Sequence, residues 1–73
     1  MELETVDKLN EAQYITFTDG AFAPEIFDVK KDKLYNLFVQ EATDLIEKEY
    51  YVWDEQGRMN FAPINCCKSI LYK

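Results

Sequence analysis

The sequence predicts an α+β fold: a small antiparallel sheet of two hairpins, with four to five short strands in all, and one amphipathic helix over about residues 32–49 packed on one face. Three observations predict it. Asp19-Gly20 and Asp54-Glu55-Gln56-Gly57 each divide two runs rich in aromatic and β-branched residues. Between those runs, Leu34, Leu37, Phe38, Ala42, Leu45 and Ile46 recur at the i, i+3, i+4 spacing of a helix. Each apolar face needs a covering layer, so a helix lying on a sheet follows.

The opening segment, residues 2–9, reads two ways. Leu3, Val6 and Leu9 sit at helical spacing, whereas Leu3-Glu4-Thr5-Val6 suits a strand entering the first hairpin. Periodicity does not decide so short a segment, and the balance favours a strand. Gln13 to Thr18 is aromatic and β-branched, which is the composition of a strand. Asp19-Gly20 is a favoured type I′ turn, where both central residues need φ > 0. Ala21 to Val29 is the expected return, placing Ile15, Phe17 and Phe22 on one face. Pro24 has no N–H to give a ladder, so that strand lies at an edge or breaks there.

The 32–49 helix carries an apolar sector of roughly 200° once Tyr35 and Val39 are added, on a wheel of about 3.6 residues per turn. Its polar face holds Asn36, Gln40, Thr43, Asp44 and Glu47. Its charges oppose the helix dipole, with Lys30, Lys31 and Lys33 near the start and Glu47 and Glu49 near the end. The second hairpin runs from Tyr50 to Trp53, turns, and returns over Arg58 to Ala62. The expected register pairs Trp53 with Arg58, Val52 with Met59 and Tyr51 with Asn60. Tyr50, Val52, Met59 and Phe61 then face the core, and Tyr51, Trp53, Arg58 and Asn60 face outward. Pro63 ends the strand. The tail, 64–73, fits a short helix through Ile64, Cys67 and Leu71 or a last strand through Ile64, Cys66, Ile70 and Tyr72.

Composition bounds the function. The chain has 73 residues, and residues 1–73 read as a single small acidic domain. Hydrophobic residues make up 48%, including five Phe, five Tyr and one Trp, which is too apolar for disorder. Fourteen acidic residues against eight basic ones give a net charge of −6. Nucleic-acid binding depends on Lys and Arg neutralising phosphates, so direct nucleic-acid contact and anionic membranes are both disfavoured. The natural complement is a protein partner with a basic surface. Met1-Glu2-Leu3-Glu4 lacks the basic start of a signal peptide, and no run of about 18–20 apolar residues exists. The expected setting is therefore cytoplasmic, with free thiols.

Chemistry has little to work with. Histidine, the commonest general acid–base at neutral pH, is absent. Glu41 is the one carboxylate within the apolar sector of the expected helix. Cys66-Cys67 lacks the activating partner that a cysteine nucleophile needs. Its two thiols also fall short of the four ligands of a structural zinc site. Gly20 and Gly57 are too far apart in sequence to form a phosphate loop. The expectation is a non-enzymatic chain with no cofactor and no metal.

Binding surfaces are the better candidates. Trp, Tyr and Arg are enriched in interface hot spots, which singles out Tyr51, Trp53 and Arg58, with Trp53 and Arg58 placed to stack. Asp44 and Glu47 on the helix, joined by Asp54 and Glu55 in the turn, form an acidic surface. Carboxylates on a rigid element can imitate phosphates. The leading expectation is an acidic inhibitor or adaptor, of the DNA-mimicking kind found among small phage or mobile-element proteins, docking on a nucleic-acid-handling protein; the analogy is one of size and charge. The alternatives are a self-associating homodimer and a thiol- or metal-dependent activity at Cys66 and Cys67.

Overall fold

The computed structural model describes residues 3–73; Met1 and Glu2, and with them the start of the 2–9 segment, lie outside the described residues. Two antiparallel sheets and one short helix form a small α+β globule. The strands are β1 (Thr5–Val6), β2 (Tyr14–Thr18), β3 (Leu34–Asn36), β4 (Phe38–Gln40), β5 (Glu49–Trp53), β6 (Met59–Asn60) and β7 (Lys68–Tyr72), and the helix α1 is Ala62–Cys66. One sheet runs β1-β7-β2-β3 and the other β4-β5-β6.

The expected 32–49 helix is not present. Asp32 adopts a left-handed φ of 61°, and the chain then extends through β3 and β4. Tyr35 pairs with Ile15 of β2, and Val39 pairs with Tyr50 of β5. The physical reason lies in residues 34–39, where only Asn36 is polar. A run that is apolar at nearly every position fits a period of two as well as one of 3.6, and long-range pairing decides between them. Misplaced charges at both ends weaken the helical alternative. Extended backbone sends Tyr35 into the core and turns Leu34 outward.

The first hairpin is also replaced. Gly20 does not take a positive φ, so Asp19-Gly20 forms no type I′ turn. After a bend, Pro24–Phe27 winds into a 3-10 turn with Pro24 at its first position, where its missing N–H costs nothing. Asp28 ends this turn at a left-handed φ of 61°. Phe22 stays largely exposed and meets Phe27 edge-on rather than joining Ile15 and Phe17. The partners of β2 come from afar: β3 on one side and β7 on the other.

Both readings of the tail are realised in succession. Pro63 opens α1, and β7 then inserts between β1 and β2. The expected strand near the N-terminus is the two-residue β1, followed by a 3-10 turn at Leu9–Glu11. The core is Ile15, Phe17, Val29, Tyr35, Val52 and Cys67, with Phe27, Leu37, Ile64 and Leu71 packed around it. Phe17 and Tyr35 lie with ring centroids 5.7 Å apart. No helix among the described residues is long and apolar enough to cross a membrane.

Candidate protein-binding surface

The hairpin joining β5 and β6 positions the surface. Its register differs by one residue from the expected one: Trp53 pairs with Met59 and Val52 with Asn60. The turn explains the difference. The Asp54 N–H donates to the Arg58 carbonyl (2.9 Å), and the Gly57 N–H donates to the Asp54 carbonyl (3.0 Å). Gly57 takes the left-handed φ of 75°. Asp54 and Arg58 close a three-residue loop, 55–57, in which a left-handed glycine follows a turn, where the expected turn held four residues, 54–57.

A shift of one residue exchanges faces on the returning strand. Tyr51 and Trp53 still point outward, but they are joined by Met59 and Phe61, while Arg58 and Asn60 leave that face. Phe38, directly opposite Tyr51, completes it. The Phe38 and Tyr51 rings stack at 5.6 Å, Tyr51 meets Trp53 edge-on at 6.1 Å, and Tyr51 lies 5.4 Å from Phe61. Phe38 is 39% exposed, Trp53 46% and Met59 42%. The result is a connected aromatic face open to solvent.

The turn residues are committed to the fold. Asp54 is buried, and its carboxylate accepts the N–H groups of Gln56 (2.9 Å) and Arg58 (3.0 Å) and the amide of Asn60 (3.1 Å). Those donors, led by the Arg58 N–H, hold its pKa below the usual value. Glu55 accepts Lys33 Nζ and the Tyr35 hydroxyl, each at 2.7 Å. Lys33 first and Tyr35 second depress its pKa. In return, burial and then the Glu55 carboxylate push the Tyr35 phenol up to about 12. Arg58 reaches back to Asp28 at 3.4 Å instead of stacking on Trp53.

Asp44 and Glu47 stand apart from these two carboxylates. They lie on the loop 41–48 that joins β4 to β5, not on a helix. The Thr43 hydroxyl accepts the N–H groups of Leu45 (3.3 Å) and Ile46 (3.1 Å), and the Thr43 N–H donates to the Ile46 carbonyl (2.8 Å). This small turn lifts Leu45 to 95% exposure. Among the described residues, the ion pairs involve Asp19, Asp28 and Glu55 and none of Glu41, Asp44, Glu47 or Glu49. Lys48, though adjacent, sits over the Tyr50 ring at 5.6 Å. Glu41, expected inside an apolar stripe, is exposed.

The structure thus brings Tyr51 and Trp53 together, sets Asp44 and Glu47 on the loop at one end of the same sheet, buries Asp54, and ties the exposed Glu55 and Arg58 to partners within the chain. Phe38, Met59, Phe61 and Leu45 are the surface residues that the sequence did not single out. A three-residue loop closed by a left-handed Gly57 is the signal that finds Met59 and Phe61. Cys66 is exposed and Cys67 buried in the core. Burial raises the Cys67 pKa, which reduces its thiolate. A cleft of about 300 Å³ is lined by Leu9, Glu47, Lys48, Glu49, Tyr50, Ile64 and Asn65. No protein-family model, curated protein or solved structure matches this chain.

Proposed function

We propose that this chain is a non-enzymatic protein-binding module that docks on a basic surface of a larger protein through the outer face of the β4-β5-β6 sheet. Nucleic-acid-handling proteins are the partner class with such surfaces. One observation carries the reading: in a domain with very little core, Phe38, Trp53 and Met59 stay exposed around the half-buried Tyr51 and Phe61 in one connected surface cluster. So small a domain gains stability from every aromatic ring it buries. An aromatic face kept outside is therefore better explained by association than by folding. The carboxylates of Asp44 and Glu47, on the loop at one end of this sheet, supply the charge preference. With Asp54 and Glu55 held in hydrogen bonds within the chain, binding relies on an aromatic contact with an acidic loop at one end of its sheet rather than on a rigid row of phosphate-like carboxylates.

The test is capture from the native host, with the chain and two variants compared at low and high salt. A partner specific to this face is lost with Trp53→Ser, and it weakens with the pair Asp44→Lys and Glu47→Lys and as salt rises. A partner retained by all variants at high salt defeats the proposal.

A further inference from the structure

We infer that the partner's contact segment is an extended, lysine- or arginine-bearing strand that pairs with the free edge of β4 and lengthens the second sheet. The inference rests on the proposed function and specifies how the partner binds.

An edge strand presents unpaired N–H and C=O groups, and proteins protect such edges with proline, lysine, a bulge or a covering element. The other edges here have such devices. β1 is two residues long, and β3 lies against β5. β6 is two residues long and runs into α1, with Pro63 close behind. β4 is different. It ends its sheet, it reads Phe38-Val39-Gln40, and it contains no proline and no charge. Phe38 and Val39 are both exposed.

Side chains beside that edge suit one kind of occupant. An added strand places alternate side chains beside Phe38, whose ring stacks on Tyr51 on the inner side; there a lysine or arginine stem covers aromatic surface and its cation meets the Phe38 ring. Glu41, Asp44 and Glu47 lie on the loop that follows β4 and Glu49 opens β5, and none of them is engaged by a cation among the described residues. Charge complementarity thus selects a basic segment. A second copy of this chain brings the same net charge of −6 and the same acidic 41–49 segment to that edge, so like charges oppose it.

The experiment leaves the protein unaltered. Isotope-labelled chain is titrated with a nine-residue peptide of alternating lysine and valine, capped at both ends, and backbone amide shifts and exchange are followed by NMR. Two counterparts are N-methylated, one at every valine and one at every lysine. A fourth peptide carries glutamate in place of lysine. A strand pairs through one alternate set of amides, so one methylated counterpart binds at least tenfold more weakly than the parent. The amides of Phe38 to Gln40 shift and slow in exchange, and the glutamate peptide does not bind. Equal binding of the parent and both methylated peptides, with the glutamate peptide still excluded, overturns strand addition and leaves the basic partner standing. Binding of the glutamate peptide as well as the parent, or of none of the four, overturns both.

Discussion

Asp54 is the residue on which the binding hairpin turns. A single buried carboxylate collects three donors from the loop that it begins, and so fixes the register that places Tyr51, Trp53, Met59 and Phe61 on one face. Asp54→Ala removes all three bonds and leaves donors unpaired, at a cost of about 2–4 kcal/mol; urea unfolding reads it directly. Tyr35 plays the corresponding part in the other sheet, accepting the Lys30 N–H and donating to Glu55, both at 2.7 Å. The two ends of the pH range report on these groups separately. Asp54 and Glu55 have folded pKa values below their usual 3.8 and 4.5. Their contribution is therefore present above those values and is lost as pH falls through them into the lower folded range. Tyr35 is raised from 10.0 to about 12, so its contribution holds below pH 10 and is lost between pH 10 and about 12. A pH series of unfolding midpoints is expected to show both losses, and Tyr35→Phe removes the alkaline one. An alkaline loss that survives Tyr35→Phe assigns it elsewhere.

The elements show why part of the fold was legible and part was not. Residues 50–61 alternate around a turn that ends in glycine, so the second hairpin is readable, and only its loop length escapes. Gly57 is the informative residue. A methyl group added there meets no atom within 4 Å, so its left-handed φ is the sole obstacle. Gly57→Ala is expected to cost about 1–2 kcal/mol, and a neutral result in thermal unfolding contradicts the turn described. Residues 34–39 defeat pattern reading for the opposite reason. Apolar residues on both sides of the chain satisfy the helix and the strand alike, because β3 buries Tyr35 in one sheet and β4 leaves Phe38 open in the other. Asp19-Gly20 misleads because a turn signal names a place to bend and not the strand that follows. The true partners of β2 lie in β3 and β7, and local sequence carries no record of so distant a pairing. Trp53 and Tyr51 were legible as a surface from residue type alone. Phe38 was not, since it appeared to belong to the helix.

At the scale of the whole molecule, a small core and a generous apolar surface pull in opposite directions. Among the described residues, the buried core is Ile15, Phe17, Val29, Tyr35, Val52 and Cys67, while Phe38, Trp53, Met59, Leu45 and Ile70 are among those left exposed. A chain so arranged is expected to gain stability whenever its partner is present, by mass action. Its net charge of −6 opposes self-association through the same face. Sedimentation at micromolar concentration and moderate salt is expected to show a monomer, and a dimer abolished by Trp53→Ser gives the face to a second copy instead. Trp53, the only tryptophan, is also a built-in reporter. The decisive measurement is its fluorescence and acrylamide quenching, free and with the captured partner bound. The emission is expected to shift to shorter wavelength and quenching to fall on binding, with both changes reversing as salt rises. A partner that binds tightly and leaves Trp53 as accessible as before contradicts the assignment of this face.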